Sequence, residues 1–440
     1  MNKKVIFLKE IKDRLDEVSP SMCLAKWTQS TIYLNSGHTH SCHHPGVHKI
    51  PLEGLDENPG MIHNTPHKME LRQEMLDGKR PTECDYCWRI EDLGKEHMSD
   101  RIFKSADPWS APKFGDVIAS GQGKDFAPIH LEVLFESTCN FSCVYCMPDV
   151  SSKWYAEVKE HGPYEMTGYT HGMITERVDA RFTLGKSFFN PYIDAFWKSI
   201  EGWWPSLRTF RITGGEPLLS KNTWSMMDFV EENANKELTF AINTNLGVPD
   251  DKIQMLIDRS NQIIGNLQDF CVYTSVEASG LQAEYIRTGM DYAKFINNCK
   301  RVLEETSATL IVMTTINVLS YSTFEDFVNT FLDLRKKYKT RVRFSFNFLR
   351  NPECLDVRHL PRSLKDEWLI SMNQFIDGNV LSEEEALQLG RVRDYLDSEL
   401  EPGQQQIRLS DLKTFTTELD RRRGLDFPNT FPELHALLQQ

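Results

Sequence analysis

Six extended apolar stretches alternate with amphipathic helical ones through the middle of this chain, and that alternation most limits how it can fold. "IHLEVLFEST" (129–138), "LRTFRITG" (207–214), "LTFAINTN" (238–245), "FCVYTSVEA" (270–278), "TLIVMTTIN" (309–317) and "RVRFSFNFL" (341–349) read as strands. Between them, "TWSMMDFVEENAN" and "TFEDFVNTFLDLRKKY" carry helical spacing. Strands alternating with helices build βα units and a parallel sheet, curled or open. A long insert at 150–206 delays the second strand, and its "NPYIDAFWKSIEGWW" reads as the helix completing the first unit. The pattern turns helical and polar near the end, in "LKDEWLISMNQFIDG" and "SEEEALQLGRVRDYLDSEL", so residues 351–440 read as a helical C-terminal cap. Residues 1–110 are rich in His, Cys, Pro and Asn and read as a small irregular domain, the kind that commonly needs a metal staple.

Of the 440 residues, 40% are hydrophobic and 26% charged, enough apolar material for a real core. No window of about 18 apolar residues exists, which argues against a membrane span. The opening "MNKKVIFLKEIKDRLDEV" breaks its short apolar run with charges before a signal peptide can form. A cytoplasmic location is therefore expected. The net charge of −13, without a basic stripe, argues against a nucleic-acid partner. Ten cysteines in a cytoplasmic chain point to metal or redox chemistry rather than disulfides.

"ESTCNFSCVYC" places Cys139, Cys143 and Cys146 in a C-x3-C-x2-C run just past the first strand. Three thiolates on one loop can hold three irons of a [4Fe–4S] cube and leave the fourth without a protein ligand. A zinc site completed by a distant His is the alternative. The run resembles the signature of the radical S-adenosylmethionine (SAM) enzymes, and further matches follow at successive strand ends. "TGGEP" (213–217) supplies Gly214, Gly215, Glu216 and Pro217; "NTN" supplies Asn243 and Asn245; "SVE" supplies Ser275 and Glu277; Arg287 follows in "EYIRTG". The resemblance implies a partial (β/α)6 TIM-type barrel over residues 125–350. The glycine motif would contact the methionine amine of SAM and the NTN and SVE segments its ribose. Arg287 would meet the carboxylate, and Tyr145 would lie beside the cluster. Reductive cleavage of SAM would then yield a 5′-deoxyadenosyl radical that abstracts a substrate hydrogen. Parallel barrels place their active sites at these strand ends.

Cys23, Gly37 and Cys42 form C-x13-G-x4-C, and "PTECDYCW" adds Cys84 and Cys87. This set is similar to the twitch module, a shorter relative of the SPASM module, in which four cysteines hold an auxiliary [4Fe–4S] cluster. Here it precedes the barrel. Spacing alone suits structural zinc as well as iron and sulfide; the neighbouring three-cysteine run favours iron. His38, His40, His43, His44 and His48 around Cys42 read as hydrogen-bond donors to sulfide or backbone rather than ligands.

Of the remaining cysteines, Cys271 and Cys299 fall at core positions and Cys354 in a loop past the sixth strand. A thiol there could return a hydrogen atom to a substrate radical, as radical peptide epimerases do. The family resemblance thus implies Cα epimerisation of a ribosomally made peptide, with Cys354 as donor and a flavodoxin- or ferredoxin-type reductant as partner. Two alternatives stay open: oxidation or dehydrogenation of a small molecule or peptide with the auxiliary cluster as electron acceptor, and a non-catalytic scaffold with zinc in both cysteine sites.

Overall fold

A computed structural model describes residues 3–94, 97–175, 178–179, 189–378 and 380–439. Its centre is a nine-stranded sheet built from β1 (Gln29–Tyr33), β2 (His38–His40), β3 (His48–Lys49), β4 (His130–Leu134), β8 (Thr209–Thr213), β9 (Asn235–Asn243), β10 (Leu267–Ser275), β12 (Thr309–Ile316) and β13 (Val342–Phe348). Two short pairs stand apart: β5 (Ser142–Cys143) with β11 (Arg287–Thr288), and the hairpin of β6 (Tyr164–Met166) and β7 (Tyr169–His171). The large sheet runs β13-β12-β10-β9-β8-β4-β1-β2-β3. Every pairing from β13 to β1 is parallel, and β2 and β3 finish the far edge as an antiparallel extension.

The two faces differ because the strands alternate. Phe210, Phe240 and Phe270 sit directly opposite one another in register, with ring centroids 5.7 and 5.6 Å apart, and all three are fully buried. They share one core with the buried residues of helices Pro191–Trp203, Lys221–Glu232, Asp250–Ile263, Tyr292–Glu305 and Phe324–Tyr338. Pro191–Trp203 shows how such a helix is specified. The Asn190 side chain accepts from the N–H groups of Tyr192 and Ile193, and Pro191 takes the first helical position. Tyr192, Ala195, Phe196, Ser199, Ile200 and Trp203 then fall on the buried face. On the other face of the sheet the register aligns Glu132, Arg211, Ala241, Cys271 and Thr309. Cys271 packs there with Ala241 and Ile311, while Cys299 is buried with Phe295, Val302 and Leu303 in the main core.

The six central strands lie in sequence order, but the sheet is open rather than closed into a barrel. Both edges that closure would join are already occupied. β1 pairs with the outer edge of β4, Ile32 opposite Val133. On β13, the outward N–H groups of Phe344 and Phe346 donate to Glu385 Oε1 (2.6 Å) and Gln388 Oε1 (3.0 Å) of helix Glu383–Asp397. That helix belongs to a C-terminal helical region with Arg362–Asp377 and Gln404–Arg423. Residues 1–110 are more regular than their composition implies. They contribute β1 to the sheet and gather helices Lys3–Val18, Pro66–Leu76, Asp85–Glu91 and Asp100–Ser105 around a second core that includes Leu15, Trp27, Met75 and Ile102. Among the described residues, no helix is long and apolar enough to cross a membrane.

The stacked phenylalanines set a measurable dependence. Phe240→Ala removes the central ring of the stack and should lower the urea-unfolding free energy by about 3–5 kcal/mol, while Phe240→Leu should cost about 1–2 kcal/mol.

Candidate functional site

β4 ends at Leu134, and residues 136–138 lead into the loop carrying Cys139, Cys143 and Cys146, all partly buried. Three sets of contacts fix this loop. First, the N–H groups of Gly215 and Glu216, just past β8, donate to the carbonyls of Glu136 (3.2 Å) and Thr138 (2.7 Å). Only glycines allow that approach: a Cβ on Gly215 would lie 2.3 Å from the Thr138 carbonyl oxygen, and one on Gly214 2.6 Å from that of Glu136. Gly214 also has φ +130°, a conformation that side chains disfavour. Second, Asn245 Nδ2 donates to Asn140 Oδ1 (2.9 Å), and Asn140 Nδ2 to the Gly247 carbonyl (3.0 Å). Third, β5 pairs with β11, which puts Arg287 opposite Cys143, and Trp154 Nε1 donates to the Cys143 carbonyl (2.7 Å).

Glu216 ties these loops to one another. Its carboxylate accepts from the N–H of Leu218 (3.0 Å), the Thr244 hydroxyl (2.8 Å) and the N–H of Asn245 (2.7 Å). Burial pushes the carboxyl up to about 7 in spite of these donors. Pro217 opens the short turn Pro217–Leu219 behind it. Asn243 Oδ1 accepts from Arg211 Nε (2.8 Å).

Beside the cysteine loop lies a cleft of about 490 Å³. Five residues singled out from the sequence line it: Cys143, Tyr145, Cys146, Ser275 and Arg287. Tyr33 and Val47 close it from the N-terminal segment. Arg287 and Glu277 are almost wholly buried and pair at 2.7 Å. Arg287 also reaches the Tyr145 hydroxyl, and its Nη1 lies 3.5 Å from Cys143 Sγ. Two atoms of this cluster, Arg287 Nε and Glu277 Oε1, are buried without a hydrogen-bond partner. Burial opposes the charge on Arg287, but Glu277, Tyr145 and Cys143 together outweigh it and raise the guanidinium pKa. Burial raises all three thiols, Cys139 to about 12, so deprotonation there needs a cation as partner.

The second set of cysteines also converges. Cys23, Cys42, Cys84 and Cys87 line one small cavity together with Lys26 and Arg101. Lys26 is buried and ion-paired with Glu83; Arg101 is buried between Glu91 (2.9 Å) and Asp16 (3.1 Å). Burial pushes Cys84 up to about 12 and Cys87 to about 11. Of the loop histidines, His38 contacts the Ser36 carbonyl (2.9 Å), whereas His44 bonds Asp100 (2.6 Å), His48 bonds Thr65 (2.9 Å) and His40 faces the Tyr33 hydroxyl (3.4 Å). Side chains, more than backbone, therefore anchor this loop. Among the described residues, one group of three His, Cys, Asp or Glu donors lies wholly within 4.8 Å, and it is His48, His67 and Glu83.

Cys354 is not brought to the cleft. It is fully buried, its N–H donates to the Tyr169 hydroxyl (3.1 Å), and burial pushes its thiol up to about 12. The turn that carries it, Glu353–Leu355, packs against helix Gln404–Arg423. Sequence reasoning missed Arg211, which lies over the Tyr273 ring (4.2 Å) and 3.6 Å from Glu132 on the polar face of the sheet. The signal was present in "FRI", where a lone charge alternates with core residues. No protein-family model matches this chain, and neither does any curated protein.

The glycine contact makes a direct test. Gly215→Ala should destabilise the protein by about 1–3 kcal/mol in denaturant unfolding. Gly265→Ala, where an added Cβ meets nothing within 4 Å, should stay within about 0.5 kcal/mol of wild type.

Proposed function

We propose that this chain is a SAM-dependent radical enzyme, with one [4Fe–4S] cluster on Cys139, Cys143 and Cys146 and an auxiliary one on Cys23, Cys42, Cys84 and Cys87. The observation that carries the reading is the convergence of Cys143, Tyr145, Cys146, Ser275 and Arg287 on one cleft. Three of these residues share the loop after β4, and Ser275 and Arg287 join them from segments more than 120 residues further along the chain. The partial (β/α)6 barrel that the resemblance implies is kept as the finer description of the open parallel sheet.

The donor sets fit the groups proposed. Lys26 lines the four-cysteine cavity and its charge favours the Cys84 thiolate. When bound, the three-cysteine cluster and SAM supply the electron and the radical chemistry that no side chain here provides. The chain's own part is to bind and orient. Arg287, held by Glu277 and Tyr145, stabilises the Cys143 thiolate and has a free Nε for a carboxylate. Glu216 locks the loops past β8 and β9 together, and Tyr33 and Val47 supply the cleft wall from the N-terminal segment.

Within this reading we favour oxidation or dehydrogenation of a peptide or small molecule over Cα epimerisation. A hydrogen-donating thiol must reach the substrate, and Cys354 is fully buried and does not line the cleft. A flavodoxin- or ferredoxin-type protein is the reductant this chemistry requires.

Iron and sulfide counts after anaerobic reconstitution test the assignment. Wild type should carry about eight irons, and the Cys139→Ala/Cys143→Ala/Cys146→Ala variant about four. Four irons falling to none would remove the auxiliary cluster, and zinc without sulfide would overturn the reading altogether. Cys354→Ala should leave product formation unchanged, with no solvent deuterium at a substrate carbon; loss of a deuterated epimer would restore the epimerase assignment.

A further inference from the structure

His48, His67 and Glu83 lie outside both cysteine sites and offer one donor atom each, all within 4.8 Å of one another. They come from three separate elements: His48 from β3, His67 from the first turn of helix Pro66–Leu76, and Glu83 from the turn Thr82–Cys84. We propose that these three residues bind one Zn²⁺ ion, which clasps the edge of the sheet to that helix and to the turn leading into Cys84.

Two imidazoles and a carboxylate are a zinc donor set that leaves a fourth position for water. The orientation of His48 is the independent argument. Its Nε2 is anchored on Thr65 Oγ1 (2.9 Å), while its Nδ1 is buried without a hydrogen-bond partner. A ligating imidazole is typically fixed in this way, with one nitrogen held on an oxygen and the other turned to the metal. Glu83 is divided similarly. Lys26 takes Oε1, and Oε2 lies 3.0 Å from His67 Nε2. The His48 and His67 rings are 4.3 Å apart between centroids. His67 is 43% exposed, which leaves the ion an entry path. The alternative to a metal is a plain Lys26–Glu83–His67 hydrogen-bonded chain, which leaves the buried Nδ1 of His48 unexplained.

The test uses full-length protein reconstituted with iron and sulfide, with Co²⁺ as spectroscopic probe and Zn²⁺ as competitor. Wild type should bind about one Co²⁺ per chain with weak visible bands of nitrogen and oxygen ligation, and Zn²⁺ should displace it. His67→Ala, at an exposed position, should weaken binding at least about tenfold and keep the wild-type iron count. His38→Ala should bind as wild type does. Zn²⁺ should raise the melting temperature of wild type but not of His67→Ala. Unchanged affinity in His67→Ala, no Co²⁺ uptake, or thiolate-to-cobalt charge-transfer bands in place of the weak ones would overturn the proposal. The iron count separates this outcome from failure of the cluster assignment, because His67→Ala leaves every cysteine proposed as a cluster ligand in place.

Discussion

One buried carboxylate holds the candidate site together. Glu216 takes hydrogen bonds from two loops, its own turn and the one past β9, while its backbone N–H reaches the segment leading into the cysteines. A carboxyl group so deeply buried is costly unless several donors face it, and here three do. The cost is offset only if the turn after β8 and the loop after β9 both sit where they do. Removing any one donor leaves the buried carboxylate partly unsatisfied, so the two loops behave as a unit rather than as independent turns. The glycine pair serves the same end by letting two backbones touch where any side chain would force them apart.

Much of this was legible in the sequence, for reasons that can be named. The six central strands are short apolar stretches set between amphipathic helical ones, and each falls within a few residues of its expected position. The residues of the cleft were legible because they occupy strand ends, where a parallel sheet gathers distant segments at one edge. β1 was not legible. In "QSTIY" the first three residues are polar and yet buried; Lys68 reaches across to Ser30 (2.8 Å) and to Thr39 of β2 (2.9 Å), while Gln29 Oε1 and Thr31 Oγ1 are buried without a hydrogen-bond partner. Alternation of hydrophobicity cannot reveal a buried strand that opens on three polar residues. The burial of Cys354 was not legible either: it lies in a loop after the sixth strand, as expected, but the helix packed against that turn comes from residues 404–423.

The N-terminal segment has two attachments with different characters. Its own core, around Trp27 and Met75, would hold it together as a small body. The parallel pairing of β1 with β4 instead makes it continuous with the sheet, so the histidine-rich loop after β2 is carried along with it. Tyr33, at the end of β1, thereby reaches the cleft beside Cys143. Any shift in the register of β1 would move that wall and the loop bearing Cys42 together.

The treatment of β13 has a consequence for how the chain is made. Its outward amides are satisfied by Glu385 and Gln388, residues of a helix that also caps itself through Ser382 and pairs Glu385 with Arg335 (3.0 Å). A ribosome releases β13 some forty residues before that helix is available. In that interval the strand is a bare template, rich in phenylalanine, to which a second nascent chain can add. The C-terminal region therefore protects the finished sheet from its own neighbours. Truncation before residue 383 would leave a chain that still contains every candidate ligand but would aggregate through an uncovered edge.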